Sequence, residues 1–295
     1  MTIFQAIILG IVQGLTEFIP VSSTAHLVFA ARLVGLYNFI EPTLKAEQTT
    51  ATIAVIQLGT LLAVLIYFAR DITNITRGFV RDHLAILTGK NRTDGSRRLS
   101  PEAWLGWLVI IGSVPVAVVG LVFKKQIEGT FTKNLWVIAT MMIVVGLLLA
   151  LAEWVGKRGR SMNELGLGDA LAVGFAQVLA LIPGSSRSGS TIMGGLFAGL
   201  TRETAARFSF LLSIPAIAAS GLLELREAIH KLPDGTYLPL IVATIVSGLV
   251  GYASIWFLLR FLRTHSTGVF VVYRLVVGAA IIFALLGGYI TADAG

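Results

Sequence analysis

Residues 183–191 read Pro-Gly-Ser-Ser-Arg-Ser-Gly-Ser-Thr and interrupt a chain that is otherwise mostly hydrocarbon. An arginine among hydroxyls is costly in a bilayer, and an ionisable residue there marks a functional site by default. Gly184 permits a tight turn. Ser185, Ser186 and the N–H groups that follow would form a helix N-terminus, which favours phosphate or another anion. Arg187 can hold phosphate oxygens in bidentate fashion, and Ser188, Ser190 and Thr191 add donors. The competing reading is a capped, glycine-rich packing turn with Arg187 paired to a carboxylate.

A second polar run, Pro20-Val-Ser-Ser-Thr-Ala-His26, follows Gln13 and Glu17. Gln13 and Glu17 are four apart and so share a helix face. An unpaired carboxylate in an apolar helix is expensive, so Glu17 is expected to face the interior beside a cation or a donor. Ser22 or Ser23 can cap the next helix, and the spacing lets His26 sit beside either hydroxyl. The bland alternative makes the serines caps only and His26 a simple hydrogen-bonding residue. Arg32 and Arg274 are the other arginines in predicted membrane helices. Arg274 follows Tyr273 in an apolar span and could contribute to the site; snorkelling or a structural ion pair fits it equally well. Asp169 reads as the N-cap of a helix over 170–182.

Two polar tips need elements that bring them together. The chain has 295 residues, 55% hydrophobic and 13% charged, against about 25% charged in soluble domains. An all-α polytopic membrane protein is expected, a single integral membrane domain over 1–295. Full spans of roughly 20 residues are predicted at about 51–69, 104–123, 135–155, 204–224, 238–260 and 268–290. The regions at about 3–37 and 169–199 are apolar but broken by Pro and then Ser-Ser. Each is read as a re-entrant helical hairpin, because non-helical backbone at that depth must be buried in protein or line a wet cavity. Gly10-Ile-Val-Gln13 before the first tip matches Gly174-Phe-Ala-Gln177 before the second. A hairpin that returns to its own side, followed by three crossings, inverts the second half. The expectation is an inverted repeat, with repeat one at about 1–155 and repeat two at about 165–295, and with its site near the midplane. Secondary transporters share that signature, so transport of an anion or lipid phosphate is the rival function class.

Loop charge sets the orientation. One predicted side carries Arg70, Arg77, Arg81, Lys90, Arg92, Arg97, Arg98, Lys157, Arg158, Arg160, Arg202, Arg207, Arg260 and Arg263; the other carries Lys45, Lys124, Lys125, Lys133, Arg226 and Lys231. Fourteen against six places the 70–103 loop in the cytoplasm and both termini outside. The same distribution explains the net charge of +7, so no nucleic-acid partner is expected. The absence of cysteine removes disulfides and thiol chemistry. Met1-Thr-Ile-Phe lacks the basic start of a cleavable signal peptide. Gly184–Gly189 is neither a Walker A loop nor a Gly-x-Ser-x-Gly elbow. No His-Glu-x-x-His helix occurs, and His83, His230 and His265 fall in predicted loops.

With these residues in view, Gln13-Gly-Leu-Thr-Glu17-Phe-Ile-Pro-Val-Ser22-Ser-Thr-Ala-His26 resembles the N-terminal signature of the bacterial undecaprenyl-diphosphatase family linked to bacitracin resistance. Its (Glu/Gln)-x-x-x-Glu pattern is met by Gln13 and Glu17. Residues 183–191 resemble the second signature, Pro-Gly-x-Ser-Arg-Ser-x-x-Thr, and Ala205-Ala-Arg-Phe-Ser-Phe-Leu-Leu-Ser-Ile-Pro215 is family-like. Ala25 replaces the glycine common before the histidine. The resemblance covers essentially the whole chain. It implies hydrolysis of undecaprenyl diphosphate to undecaprenyl phosphate and inorganic phosphate in the bacterial cytoplasmic (inner) membrane, at a site opening to the periplasmic or outer face. It also implies a divalent cation, Mg²⁺ or Ca²⁺, with Gln13 and Glu17 as ligands and one carboxylate fewer than a Glu/Glu pair. On that reading Arg187 and the 185–188 backbone hold the phosphates, with Ser22, Ser185, Ser186, Ser188, Thr191 and Arg274 lining the substrate. Ser23 attacks phosphorus with His26 as general base, or water attacks directly and Ser23 is only a ligand. Membrane lipid is the surrounding partner, and a homodimer is compatible with the resemblance.

Overall fold

In hydrocarbon every backbone N–H and C=O must be paired within the chain, which helices achieve segment by segment. The computed structural model of the chain describes residues 1–37, 42–89, 99–123, 134–231 and 237–292, with side chains at all of these save 42–47, 220 and 222–231. Among the described residues the regular structure is helical and no strand occurs. The helices are α1 (Ile3–Phe18), α2 (Ser23–Leu33), α3 (Pro42–Tyr67), α4 (Ala69–Leu87), α5 (Pro101–Val122), α6 (Leu135–Val155), α7 (Leu167–Val178), α8 (Arg187–Phe197), α9 (Arg202–Lys231), α10 (Tyr237–Leu262) and α11 (Gly268–Leu286).

Five helical stretches are long and apolar enough to cross a membrane: Gln48–Tyr67, Pro101–Val122, Leu135–Val155, Tyr237–Leu262 and Gly268–Leu286. They match five of the expected spans. The sixth, at 204–224, falls in α9, an unbroken helix of 30 residues. In each of the two broken regions a pair of short helices packs together, α1 with α2 and α7 with α8. Pro20 and Pro183 end the first arm of each, since the residue before a proline is pushed out of the helical region. Ile19 and Ile182 accordingly have extended backbones, with ψ of 136° and 121°.

Small residues let the hairpins seat deeply, the usual device where helices cannot gain from excluding water. α1 lies along α10, and a Cβ on Gly10 would come within 2.6 Å of the Ala243 carbonyl oxygen. α7 lies along α5, and a Cβ on Gly174 would come within 2.3 Å of the Gly112 carbonyl oxygen.

A set of ion pairs ties the start of α9 to the ends of α6 and α10 and to the start of α4. Glu153 at the end of α6 pairs with Arg158 and Arg202 and accepts from Thr267; Arg263 pairs with Glu203, and Arg207 with Asp71. Of the residues used for orientation, Lys90, Arg92, Arg97, Arg98, Lys124, Lys125 and Lys133 lie outside the described residues, and the side chains of Lys45, Arg226 and Lys231 do too.

Three sequence expectations need correction. The 70–103 segment is not a plain loop: residues 69–87 form α4, whose Ile75 and Phe79 face Gly106 of α5 while Arg70, Arg77 and Arg81 stay exposed. His83 is therefore helical, donating from Nδ1 to the Phe79 carbonyl (2.7 Å) and accepting from the Trp107 indole N–H (3.1 Å); His230 lies within α9. Asp169 is the third residue of α7, not its N-cap. It accepts from the Gly166 N–H (2.8 Å) and pairs with Arg160 (2.6 Å).

The α4–α5 corner carries a pH-dependent contact. Asp82 accepts from the Ser100 N–H (2.6 Å) and from Arg81 (3.0 Å), while Ser100 caps α5. Burial opposes ionisation of Asp82, but the hydrogen bonds from Ser100 and Arg81 outweigh it and hold the carboxyl at about 2, below the ordinary 3.8. A depressed carboxyl contributes stability above its unfolded value and loses it as pH falls toward the folded one. Asp82→Ala strands the buried Ser100 N–H and is expected to cost about 1–3 kcal/mol at neutral pH. It should also flatten the loss of stability between pH 3.8 and about 2; thermal unfolding in detergent across that range checks both.

Candidate active site

The two tips meet. Arg187, the first residue of α8, donates from Nη2 to Glu17 Oε1 at 2.8 Å. The two side chains are 15% and 7% exposed. The other carboxylate oxygen of Glu17 accepts from Gln13 Nε2 (3.1 Å), which also reaches Thr60 Oγ1 on α3 (3.3 Å). Gln13 and Glu17 do share a face, and Glu17 does sit beside a cation. The Ser188 hydroxyl donates to the Ile19 carbonyl (3.3 Å), and Arg187 Nη1 donates to the Ser213 carbonyl on α9 (3.3 Å). Gln13 Oε1 is buried without a hydrogen-bond partner.

Both tips turn through left-handed backbone. Ser22 has φ 79° and Ser186 φ 66°, each just before its helix. A non-glycine residue held there costs on the order of 1–3 kcal/mol and persists only where its surroundings enforce it. Ser186 caps α8 through its hydroxyl, which accepts from the Gly189 N–H at 3.1 Å. Ser22 occupies the same place before α2 but makes no side-chain cap, and its hydroxyl is buried without a partner. Gly184 at φ 91° packs on α6, where a Cβ would come within 2.2 Å of the Ile138 carbonyl oxygen.

The hydroxyls divide into two groups. Ser185 donates to the Ile182 carbonyl (2.7 Å), and Thr191 lies between the Arg187 carbonyl (2.7 Å) and Ser209 Oγ (2.5 Å). Both are fully buried, as is Ser190, so these three face protein. Ser23, His26, Ser186 and Arg187 are half-buried.

His26 does not rest on a serine hydroxyl. Its Nδ1 lies 2.7 Å from the Ser22 carbonyl and its Nε2 2.6 Å from the Tyr273 hydroxyl. Arg274 is neither snorkelling nor ion-paired among the described residues. It is fully buried and donates to the carbonyls of Pro20 (3.3 Å), Gly184 and Ser185 (both 3.0 Å), Met141 (3.2 Å) and Met142 (3.1 Å). One guanidinium thus joins both tips to α6. Sequence reasoning passed over Thr60, Ser213 and Tyr273. Only Tyr273 carried a signal, a phenol beside a buried arginine in an apolar span.

Among the described residues no three His, Cys, Asp or Glu side chains cluster as a preformed metal cage. Glu17 and the unpartnered Gln13 Oε1 would give two protein oxygens. That suits a magnesium-like ion, which takes one or two carboxylates and completes its shell with substrate phosphate and water.

Comparison with known proteins gives a consistent assignment. Residues 6–280 match the model of the family described as bacitracin resistance protein BacA. An undecaprenyl-diphosphatase of Syntrophobacter fumaroxidans is 53% identical over 283 residues, covering 96% of this chain and 97% of its own. Those of Chlorobium phaeobacteroides and Mycolicibacterium gilvum are 46% and 45% identical, each covering 99% of this chain and 100% of their own. With matches of this identity along nearly its whole length, the chain belongs to the bacitracin resistance protein BacA family.

Proposed function

We propose that this chain hydrolyses undecaprenyl diphosphate to undecaprenyl phosphate and inorganic phosphate, recycling the lipid carrier of peptidoglycan synthesis and so conferring bacitracin resistance. The observation that carries this reading is the 2.8 Å contact between Arg187 and Glu17, which joins the two polar tips. A diphosphate on a long apolar tail needs a cationic pocket opening to lipid, and Arg187 supplies the cation.

Each residue takes a role in the reading. Arg187 turns from Glu17 to the phosphate oxygens and neutralises charge that develops on them, the main task in phosphoryl transfer. The N–H groups after Ser186 add the field of a helix start. Glu17 and Gln13 Oε1 would hold a divalent cation, Mg²⁺ or Ca²⁺, which would neutralise diphosphate charge when bound. Ser23 Oγ attacks the terminal phosphorus while its proton passes to His26 Nε2. The bridging P–O bond breaks and undecaprenyl phosphate leaves as an anion. His26 passes its Nε2 proton to the departing phosphate and is neutral again. It then takes a proton from water as the water oxygen attacks the phosphoserine. The P–Oγ bond breaks, the proton returns to Ser23 Oγ and inorganic phosphate is released.

The inverted repeat belongs to the same proposal. Support comes from the matched tips, from α1 packing on α10 of the second half, and from α7 packing on α5 of the first. The repeats have diverged: Glu17 follows Gln13 by four, whereas Leu181 follows the buried Gln177. On this reading α9 is the sixth span. The arginine-rich end lies in the cytoplasm and the site opens to the outer face of the inner membrane.

Phosphate release from a diphosphate lipid in detergent, where no transmembrane gradient exists, tests the function. Release is expected; none, with lipid phosphate translocated in liposomes, would point to a transporter. Ser23→Ala is expected to abolish the single-turnover burst, and a phosphoserine should be trapped at 23 in the unaltered protein. Full single-turnover activity in Ser23→Ala would assign the attack to water.

A further inference from the structure

His26 sits on α2, and both of its ring nitrogens are engaged by named partners. A backbone carbonyl can only accept, so at 2.7 Å from the Ser22 oxygen Nδ1 must carry the ring proton. In the neutral ring Nε2 is then the lone-pair nitrogen, and the phenol 2.6 Å away donates to it. The two contacts together select one neutral tautomer of the imidazole. The carbonyl that accepts from Nδ1 belongs to Ser22, whose left-handed φ of 79° is unfavourable for serine.

Tyr273 constrains the ring in a second way. The two rings lie 5.6 Å apart and 13° from parallel, so the phenol hydroxyl meets the imidazole edge with the rings in nearly the same orientation. Its own position is fixed by its neighbour on α11. Arg274 donates to the Pro20 carbonyl, two residues before Ser22, so the helix that carries Tyr273 is tied to the tip that leads into His26. Tyr273 is 42% exposed.

We infer that Tyr273 is a positioning residue for His26: its hydroxyl holds the imidazole in the Nδ1–H tautomer, with the basic Nε2 fixed at the phenol oxygen. This rests on the hydrolase reading in which Nε2 takes a proton from Ser23 or water. The phenol keeps that nitrogen unprotonated and oriented until the reacting hydroxyl replaces it. Tyr273 itself does not touch the phosphates.

Tyr273→Phe keeps the ring and removes only the hydroxyl. A ten- to hundredfold fall in kcat is expected, the scale for losing a group that orients a reacting residue, with KM within about twofold because substrate contacts are untouched. The second readout is the nitrogen-15 spectrum of the His26 ring in detergent, one of four histidines in the chain. The unaltered protein should show the Nδ1–H form alone, and Tyr273→Phe a mixture of tautomers. An unchanged kcat would overturn the role of Tyr273 whatever the spectrum shows, and so would a lower kcat with the tautomer intact. Absence of phosphate release from the unaltered protein is a separate outcome, which would overturn the hydrolase reading itself.

Discussion

Arg187→Ala is expected to lower kcat by about 10²–10³, the effect of removing one preorganised donor aimed at developing charge. Arg187 is the half-buried cation between the tips, while the fully buried Arg274 is bonded to carbonyls. The substitution also acts on the fold. Glu17 would be left as a buried carboxylate without its cation, and breaking a buried pair from one side costs about 3–5 kcal/mol. Loss of activity must therefore be separated from loss of structure. Arg187→Ala combined with Glu17→Gln removes both charges, so it should recover much of the thermal stability of the single variant in detergent while staying inactive. Arg187→Lys keeps a charge but not the two-pronged donor, and should fall between. A folded Arg187→Ala protein that releases phosphate at near-normal rate would reduce the Arg187–Glu17 contact to a packing ion pair.

Local sequence chemistry made the hairpins legible. A proline ahead of two serines inside an apolar run both ends a helix and supplies polar groups for a turn, and the structure breaks at Ile19–Ser22 and Ile182–Ser186. The burial of Glu17 beside a cation was equally legible, because an isolated carboxylate in an apolar helix has few other acceptable settings. α4 was hidden because Arg70, Asp71, Arg77, Arg81 and Asp82 dilute its apolar stripe, so average polarity imitates a loop although Ile72, Ile75 and Phe79 recur at helical spacing. The partners of His26 and Arg274 were hidden for a different reason. Tyr273 is 247 residues from His26, and the acceptors of Arg274 are backbone carbonyls, which every residue has and no side-chain pattern reveals. Proline at each tip is the indirect clue, since a broken helix exposes carbonyls that something must satisfy.

Arg274→Met is expected to be the most destabilising single change in the site. Methionine fills the cavity but leaves the Pro20, Gly184 and Ser185 carbonyls without the guanidinium. A buried acceptor left unpaired costs about 1–3 kcal/mol, and these three lie in non-helical backbone with fewer alternatives than the Met141 and Met142 carbonyls inside α6. The tips should also lose register with each other, because Arg274 donates to carbonyls of both. Arg274→Lys retains a charge but has only three donors on one atom, so it cannot span carbonyls on two hairpins and a third helix as the planar fork does; partial stability is expected. This separates a clamp from a substrate ligand. A ligand lost to lysine would raise KM and leave unfolding unchanged. A clamp lost to lysine should lower the unfolding temperature, and below that temperature it should lower kcat by shifting the two tips relative to each other. A fall in KM-dependent activity alone, with unfolding intact, would return Arg274 to the substrate and leave the Glu17–Arg187 and Ser188–Ile19 contacts as the only direct bonds between the tips found among the described residues.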